Sequence, residues 1–282
     1  MSMINAGIDS AIAIAERRSG KLGAGVFAGR PGAIAERNLR TLRSSSGIMF
    51  LAGFVEPVLF LIAFGYGVGG MVGQITDSSG HTTSYIAYIM PALLATSAMN
   101  GAIFDSTWNV YFKMHFAKLY NAMLATSLGT LDVAVGEIGW AMFRGAIYAT
   151  GFVIVVGSLG LVPSIGGAVL AILAATMVAF AFAAVGMGIT SYVKSFQQLD
   201  MVNFFLLPMF LFSGTLFPLN IFPEWGQALI QALPLRQAIE LVRDCMNLSL
   251  TGSLFGHFAY FAVMIIGGLF FTTRRLTALF LR

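Results

Sequence analysis

Three charged side chains stand in strongly apolar surroundings: Glu56, beside Pro57 in "LAGFVEPVLFLIAFGYGVGG", and Glu137 and Arg144 in "AVGEIGWAMFRGAIY". Glu137 and Arg144 are seven residues apart, close to two helical turns, and so share a face. Burying such groups in hydrocarbon is costly, so they pair with one another, contact a substrate, or move with the helices that carry them. Glu56 lies about nine residues and Arg144 about thirteen from the cytoplasmic ends of their apolar stretches, or ~14 and ~20 Å deep at ~1.5 Å per residue. An ion pair between Glu56 and Arg144 is therefore sterically open. Covalent chemistry has less support. No nucleophile stands with a base, His115 lacks a second His or Cys at ligand spacing, and Cys245 is the single cysteine. The sequence also lacks G-x-x-x-x-G-K-[ST], and with it a P-loop for ATP.

The surroundings of these charges set the class of the chain. Of 282 residues, 57% are hydrophobic and 10% charged, and the pI is near 9.4 with a mean hydropathy of +0.83. That leaves too little polar surface to cover a water-soluble globule, so an integral membrane protein is expected. A hydrocarbon core of ~30 Å needs ~20 apolar residues per helix. Six windows meet this: Gly47 to Gly69, Ser84 to Asp105, Leu131 to Val156, Gly166 to Tyr192, Leu199 to Phe217 and Leu254 to Thr272. The fold class is thus an all-α membrane protein with six transmembrane helices.

Of the 16 Lys and Arg residues, thirteen fall before span one, in the loops after spans two and four, or after span six. The opposite loops hold Arg236 and Arg243, which places both termini in the cytoplasm. The basic pI is a topology signal and requires no nucleic acid. Residues 1–46 form a cytoplasmic N-terminal segment without a removable signal peptide, 47–272 the transmembrane domain and 273–282 a cytoplasmic tail.

Three connecting segments carry structure of their own. From Pro31 onward, Ile34, Ala35, Leu39 and Leu42 fall on one arc of a helix, with Arg37, Arg40 and Arg43 opposite. This predicts an interfacial helix facing anionic lipid or a cytoplasmic partner. Between spans two and three, about residues 108–124, Phe112, Phe116, Leu119 and Met123 form a stripe flanked by Tyr111, His115 and Lys118. Such a stripe is either a docking face or ordinary packing. Between spans five and six, about residues 218–246, Pro218, Pro223 and Pro234 interrupt any straight helix. Trp225 suits the membrane interface there. Leu235, Ile239 and Val242 make an apolar stripe with Arg236, Glu240 and Arg243 opposite. The expected structure is a half-inserted, re-entrant helical hairpin at the outer face.

Three stretches carry a family resemblance: "EPVLFLIAFGYGVG", the run from "YIMPALLATSAMNG" through "WNVYFKMHFAKLYNAMLATSLGTLDVAVGEIGWAMFRG", and "FSGTLFPLNIFPEWGQALIQALPLRQAIELVRD". Over roughly residues 35–282 the chain resembles the membrane subunit of type-2 ABC exporters, in the branch of nodulation lipo-oligosaccharide and daunorubicin-type drug exporters. It departs in reading "MPA" where Pro-Gly is usual and "ATSL" where "ATPL" is common. The resemblance implies that the chain pairs with a second copy or a paralogous permease around a central path. Two cytoplasmic ABC ATPase subunits, which hold ATP and magnesium, would dock beneath. It makes Tyr111 to Met123 the coupling helix, sets Gly136 and Glu137 near the ATPase contact, and has the outer hairpin line or close the exit. The expected function is export of a drug, lipid or glycolipid across a bacterial cytoplasmic membrane, with no cofactor in this chain. A stand-alone gradient-driven carrier would show matching broken helices in two inverted halves. An intramembrane enzyme acting on lipid would need a cluster of catalytic groups at one depth. Neither pattern is found in the sequence.

Overall fold

A computed structural model describes residues 27–44, 48–76, 82–126, 128–249 and 252–280. The predicted N-terminal segment before residue 27 and the Arg43 side chain lie outside the described residues. Helix α1 spans Pro31–Ser44, and α2 spans Ile48–Ile62, continued by a π-helical turn at Ala63–Val68 and a short helical end at Gly69–Val72. A small antiparallel hairpin comes next, β1 (Gln74–Thr76) with β2 (Thr82–Ser84), pairing Ile75 with Thr83. The sequence pattern gives no sign of these strands. Helix α3 (Tyr85–Phe104) runs on through π-helical turns at Asp105–Asn109 and Phe112–Phe116, and α4 covers Leu119–Leu124. The remaining helices are α5 (Thr130–Ser158), α6 (Ile165–Thr190), α7 (Phe196–Phe212), α8 (Glu224–Ala232), α9 (Pro234–Met246) and α10 (Ser253–Phe280).

Five segments are long and apolar enough to cross a membrane: Val55–Val72, Tyr85–Phe116, Thr130–Ser158, Ile165–Thr190 and Ser253–Phe280. The predicted fifth span is the shorter apolar helix α7, of 17 residues. Helix α10 continues beyond the expected end of its span at Thr272, so Arg274 and Arg275 ride on helix. Local sequence sets several boundaries. Ser164 caps α6 by accepting from the Gly167 N–H at 2.9 Å, and Pro234 opens α9 where its missing N–H costs nothing.

Helix α6 is the hub, packed against α3, α5, α9 and α10. Its Ala-rich surface permits this, because small side chains let helix backbones approach closely where lipid gives no hydrophobic drive to association. At the crossing with α5, a Cβ on Gly145 would lie 2.5 Å from the Ala179 Cβ and 2.9 Å from the Ala98 carbonyl oxygen, so glycine is required there. Helix α7 stands apart from this core. Leu199 is its one buried residue, while Met201, Phe204, Phe205 and Leu207 are exposed. A cavity of about 730 Å³ separates α7 from α2, α3 and α5.

Candidate functional site

The segment from Tyr85 to Phe116 is 32 residues long. At ~1.5 Å per residue it reaches ~48 Å, well beyond a ~30 Å hydrocarbon core. Its far end is the predicted coupling region, in a form that corrects the expected single helix. Lys118 adopts a left-handed conformation (φ 46°) and turns the chain between Phe116 and α4. Phe112, Phe116, Leu119 and Met123 therefore do not share one face. Phe112 and Phe116 are exposed at 43% and 66% with ring centroids 5.2 Å apart, Leu119 is half-buried, and Met123 is buried. Tyr111 is also buried, packed with Trp108, Val193 and Leu199. The His115 Nε2 lies 3.1 Å from the Val193 carbonyl oxygen, an ordinary polar contact to the loop that leads into α7. Trp108 meets Phe196, the first residue of α7, edge-on at 5.0 Å.

A second brace leads to α5. The Lys113 Nζ donates to the Glu137 Oε2 at 2.6 Å, and the Glu137 side chain is almost fully buried. Its Oε1 and the buried Tyr120 hydroxyl have no hydrogen-bond partner among the described residues. Burial, reinforced by the charges of Glu137 and Asp105, pushes the Tyr120 phenol well above its ordinary value, so it stays neutral. One residue earlier, Gly136 seats α1: an added Cβ would lie 2.7 Å from the Ile34 Cβ. The buried Asp132 carboxylate accepts N–H bonds from Ala28 at 2.6 Å, Arg30 at 2.9 Å and Gly129 at 2.9 Å. These bonds fix the chain entering α1 to the start of α5. On α1 itself, Arg40 pairs with Glu36 at 2.6 Å on the exposed face, and the Arg37 Nη1 donates to the Asn38 Oδ1 at 3.2 Å.

Within the predicted spans, Arg144 pairs with Asp105. Its Nη1 donates to Asp105 Oδ1 at 2.7 Å, both side chains are buried, and the guanidinium also lies over the Phe104 ring at 5.8 Å. The Asn109 amide also donates to this Asp105 oxygen. The sequence pattern favours Glu56 as the counter-ion of Arg144. The structure assigns that place to Asp105, because the π-helical turn that begins there brings it to the Arg144 face of α5. Glu56 is exposed on the lining of the cavity that Arg144 also reaches. Sequence reasoning missed Asp105 by treating it as the end of a span. It is one of 12 acidic residues, so testing each of them against each apolar-span cation would have exposed it.

At the other end of the bundle, the arginines opposite the apolar stripe of α9 are buried as well. Glu240 bridges two buried guanidiniums, with Arg236 at 2.5 Å and Arg243 at 2.9 Å. Arg243 also covers the Tyr88 ring at 4.7 Å. The Tyr88 hydroxyl donates to the carbonyl oxygens of Gly214 and Phe217 at 2.9 and 3.2 Å. The charges face inward where α3 and α6 pack over α9; the ion pairs form within α9, and α3 adds the Tyr88 ring and its carbonyl oxygen, which accepts from Arg243 Nη2 at 3.4 Å. Pro218 is buried, Pro223 opens α8 and Pro234 opens α9, whereas Trp225 projects from α8 with 72% of its surface exposed.

The sequence pattern of ABC-2 type transporters matches residues 32–247. Nodulation protein J of Sinorhizobium fredii (strain NBRC 101917 / NGR234) is 29% identical over 217 residues, covering 76% of this chain and 80% of that protein. Nodulation protein J of Rhizobium leguminosarum bv. viciae is 30% identical over 215 residues, covering 76% and 81% respectively. The inner membrane transport permease YadH of Escherichia coli (strain K12) is 25% identical over 183 residues, covering 64% of this chain and 68% of its own.

Proposed function

The chain belongs to the ABC-2 type transporter family, in its nodulation branch, and from that premise we propose that it is the permease subunit of an ATP-driven exporter. It moves a hydrophobic or amphipathic substrate outward across a bacterial cytoplasmic membrane. Six spans, with α7 as the fifth, both termini in the cytoplasm, and a re-entrant hairpin of α8 and α9 at the outer face complete this reading. A second copy or a paralogous permease closes the transport path. Two separate ABC ATPase subunits bind and hydrolyse magnesium-ATP.

The observation that carries the proposal is the pair of exposed rings at Phe112 and Phe116, presented at the tip of a helix whose flanks are braced to α5 and to the loop that leads into α7. In this reading the rings fill a pocket on the ATPase. Closure of the ATPase dimer pushes the tip. The Lys113–Glu137 bond passes the push to α5, and the contacts of Trp108 and His115 pass it to the start of α7. Packed helices shift as rigid bodies, so a displacement of the tip alters the seam beside α7, where packing is weakest.

The test is co-purification of the full chain with its ATPase partner, comparing wild type with Phe116→Asp. Phe116 is exposed, so the substitution leaves the fold intact while setting a charge in an apolar contact. The expected outcome is membrane insertion with loss of stoichiometric assembly or of ATPase stimulation. Unchanged assembly and unchanged stimulation would reject the docking role.

A further inference from the structure

The cavity beside α7 contains three polar side chains that the fold does not use. Glu56 on α2, Asn100 on α3 and Asn203 on α7 all line it. Among the described residues no hydrogen bond or ion pair holds any of them, whereas nearby Arg144 is paired with Asp105. Glu56 and Asn203 lie eight and seven residues from the starts of α2 and α7, roughly 12 and 11 Å at ~1.5 Å per residue, and Asn100 stands four residues before the end of α3. Apart from Arg144 and Thr96, whose hydroxyl donates to the Ala92 carbonyl oxygen, the rest of the lining is largely apolar and rich in rings. Phe60 stacks on Phe64 at 5.8 Å and meets Phe210 of α7 at 5.8 Å, and Phe104, Trp108 and Tyr148 close the other walls.

The charge of this lining decides what it would hold. The Arg144–Asp105 pair is neutral overall, so the uncompensated charge is the Glu56 carboxylate. The exposed Glu56 carboxylate on the cavity wall attracts a cation, and aromatic faces attract cations as well. The amides of Asn100 and Asn203 offer carbonyl acceptors on the same lining. A neutral lipid would leave the Glu56 charge without a counter-ion, and an anion would be repelled by it. The geometry points to a binding site for an amphipathic organic monocation, its charged centre against Glu56 and its apolar body among the rings of α2, α3 and α7. This deepens the export reading and rests on it, since it names the substrate class that the permease would take up from the side of its coupling tip.

The test uses the full chain in lipid nanodiscs. Of the three tryptophans, Trp140 and Trp225 are replaced by Phe, so that Trp108 in the cavity wall is the sole reporter. Tetraphenylphosphonium and tetraphenylborate, ions of like size and opposite charge, are titrated against its emission, with empty nanodiscs subtracted. The phosphonium is expected to saturate the signal and the borate to give no saturable change. Glu56→Gln, which keeps shape and removes charge, is expected to weaken phosphonium binding by about fivefold or more, as loss of a close charge on a water-exposed wall implies. Equal phosphonium affinity in Glu56→Gln, saturable binding of the borate, or no saturable phosphonium binding would overturn the inference. Assembly with the ATPase, measured on the same preparations, keeps the two readings separate. A chain that assembles but fails to bind the phosphonium refutes the cation site alone, while a chain that never assembles refutes the exporter reading.

Discussion

Removing either member of the Arg144–Asp105 pair tests how the bundle tolerates charge. The pair is buried, with a 2.7 Å contact between side chains that are 8% and 2% exposed. Arg144→Met leaves the Asp105 carboxylate buried with the Asn109 amide still bonded to it, and Asp105→Leu leaves the guanidinium without its carboxylate. Stranding one charge of such a pair costs about 3–5 kcal/mol. Replacing both by apolar groups of similar size is often close to neutral, because neither charge then has to be desolvated. For a chain of this size, 1 kcal/mol corresponds to about 2–4 °C in Tm, so each single variant should fall by roughly 6–20 °C. The double variant should recover most of that loss. The assay is thermal unfolding of the full chain in nanodiscs, tracked by intrinsic fluorescence, for the four members of the cycle. Additive single effects, with a coupling below about 0.5 kcal/mol, would refute the ion pair.

Two further substitutions probe the ends of the bundle. Gly136→Val should lift α1 from α5, since even a Cβ would sit 2.7 Å from that of Ile34. Overpacking of this kind costs about 1–3 kcal/mol, and the expected readout is several-fold weaker ATPase stimulation in a chain that still inserts. Asp244, in α9, has its carboxyl pushed up from the ordinary value first by burial and next by the Glu240 charge. An acid whose folded pKa is raised binds its proton more tightly in the folded state, so it destabilises the fold above that pKa and the penalty fades as pH falls through it. Asp244→Asn should therefore melt higher than wild type at neutral pH and converge with it in acid. A gap that widens in acid would show that the sign is wrong.

The range of the forces involved decides which features were legible in the sequence. The spans could be read because the hydrocarbon thickness imposes a length that twenty-residue windows report directly, and the elements at α5 and α6 agree with the windows to within two residues. Of the predicted apolar arc on α1, Ile34 is fully buried against Gly136, whereas Ala35 and Leu39 are exposed and Asn38 is buried instead, so local periodicity located one anchor and missed the rest of the face. Partners distant in sequence were not legible. Asp132 holds the backbone of Ala28 and Arg30 across 104 and 102 residues, and no periodicity connects those positions.

The same limit explains what the connecting segments add to the sequence reading. A helical wheel joins Phe112 to Met123, but the wheel assumes continuous helix, and the left-handed Lys118 rotates α4 so that Met123 turns inward while the two phenylalanines stay outside. On α9 the wheel separates apolar from charged residues but does not say what the charged side meets. Glu240 pairs with both Arg236 and Arg243 over about two turns, and Arg243 covers the Tyr88 ring, so packing can take them in. Amphipathicity ranks the faces of a helix by polarity, and burial obeys that ranking only where a neighbouring helix does not supply partners for the polar side. The charge left outside such pairing is the one with information about a ligand. In this bundle Arg144, Arg236 and Arg243 all have carboxylate partners, whereas Glu56 faces a ring-lined cavity, which is why the substrate question turns on that residue.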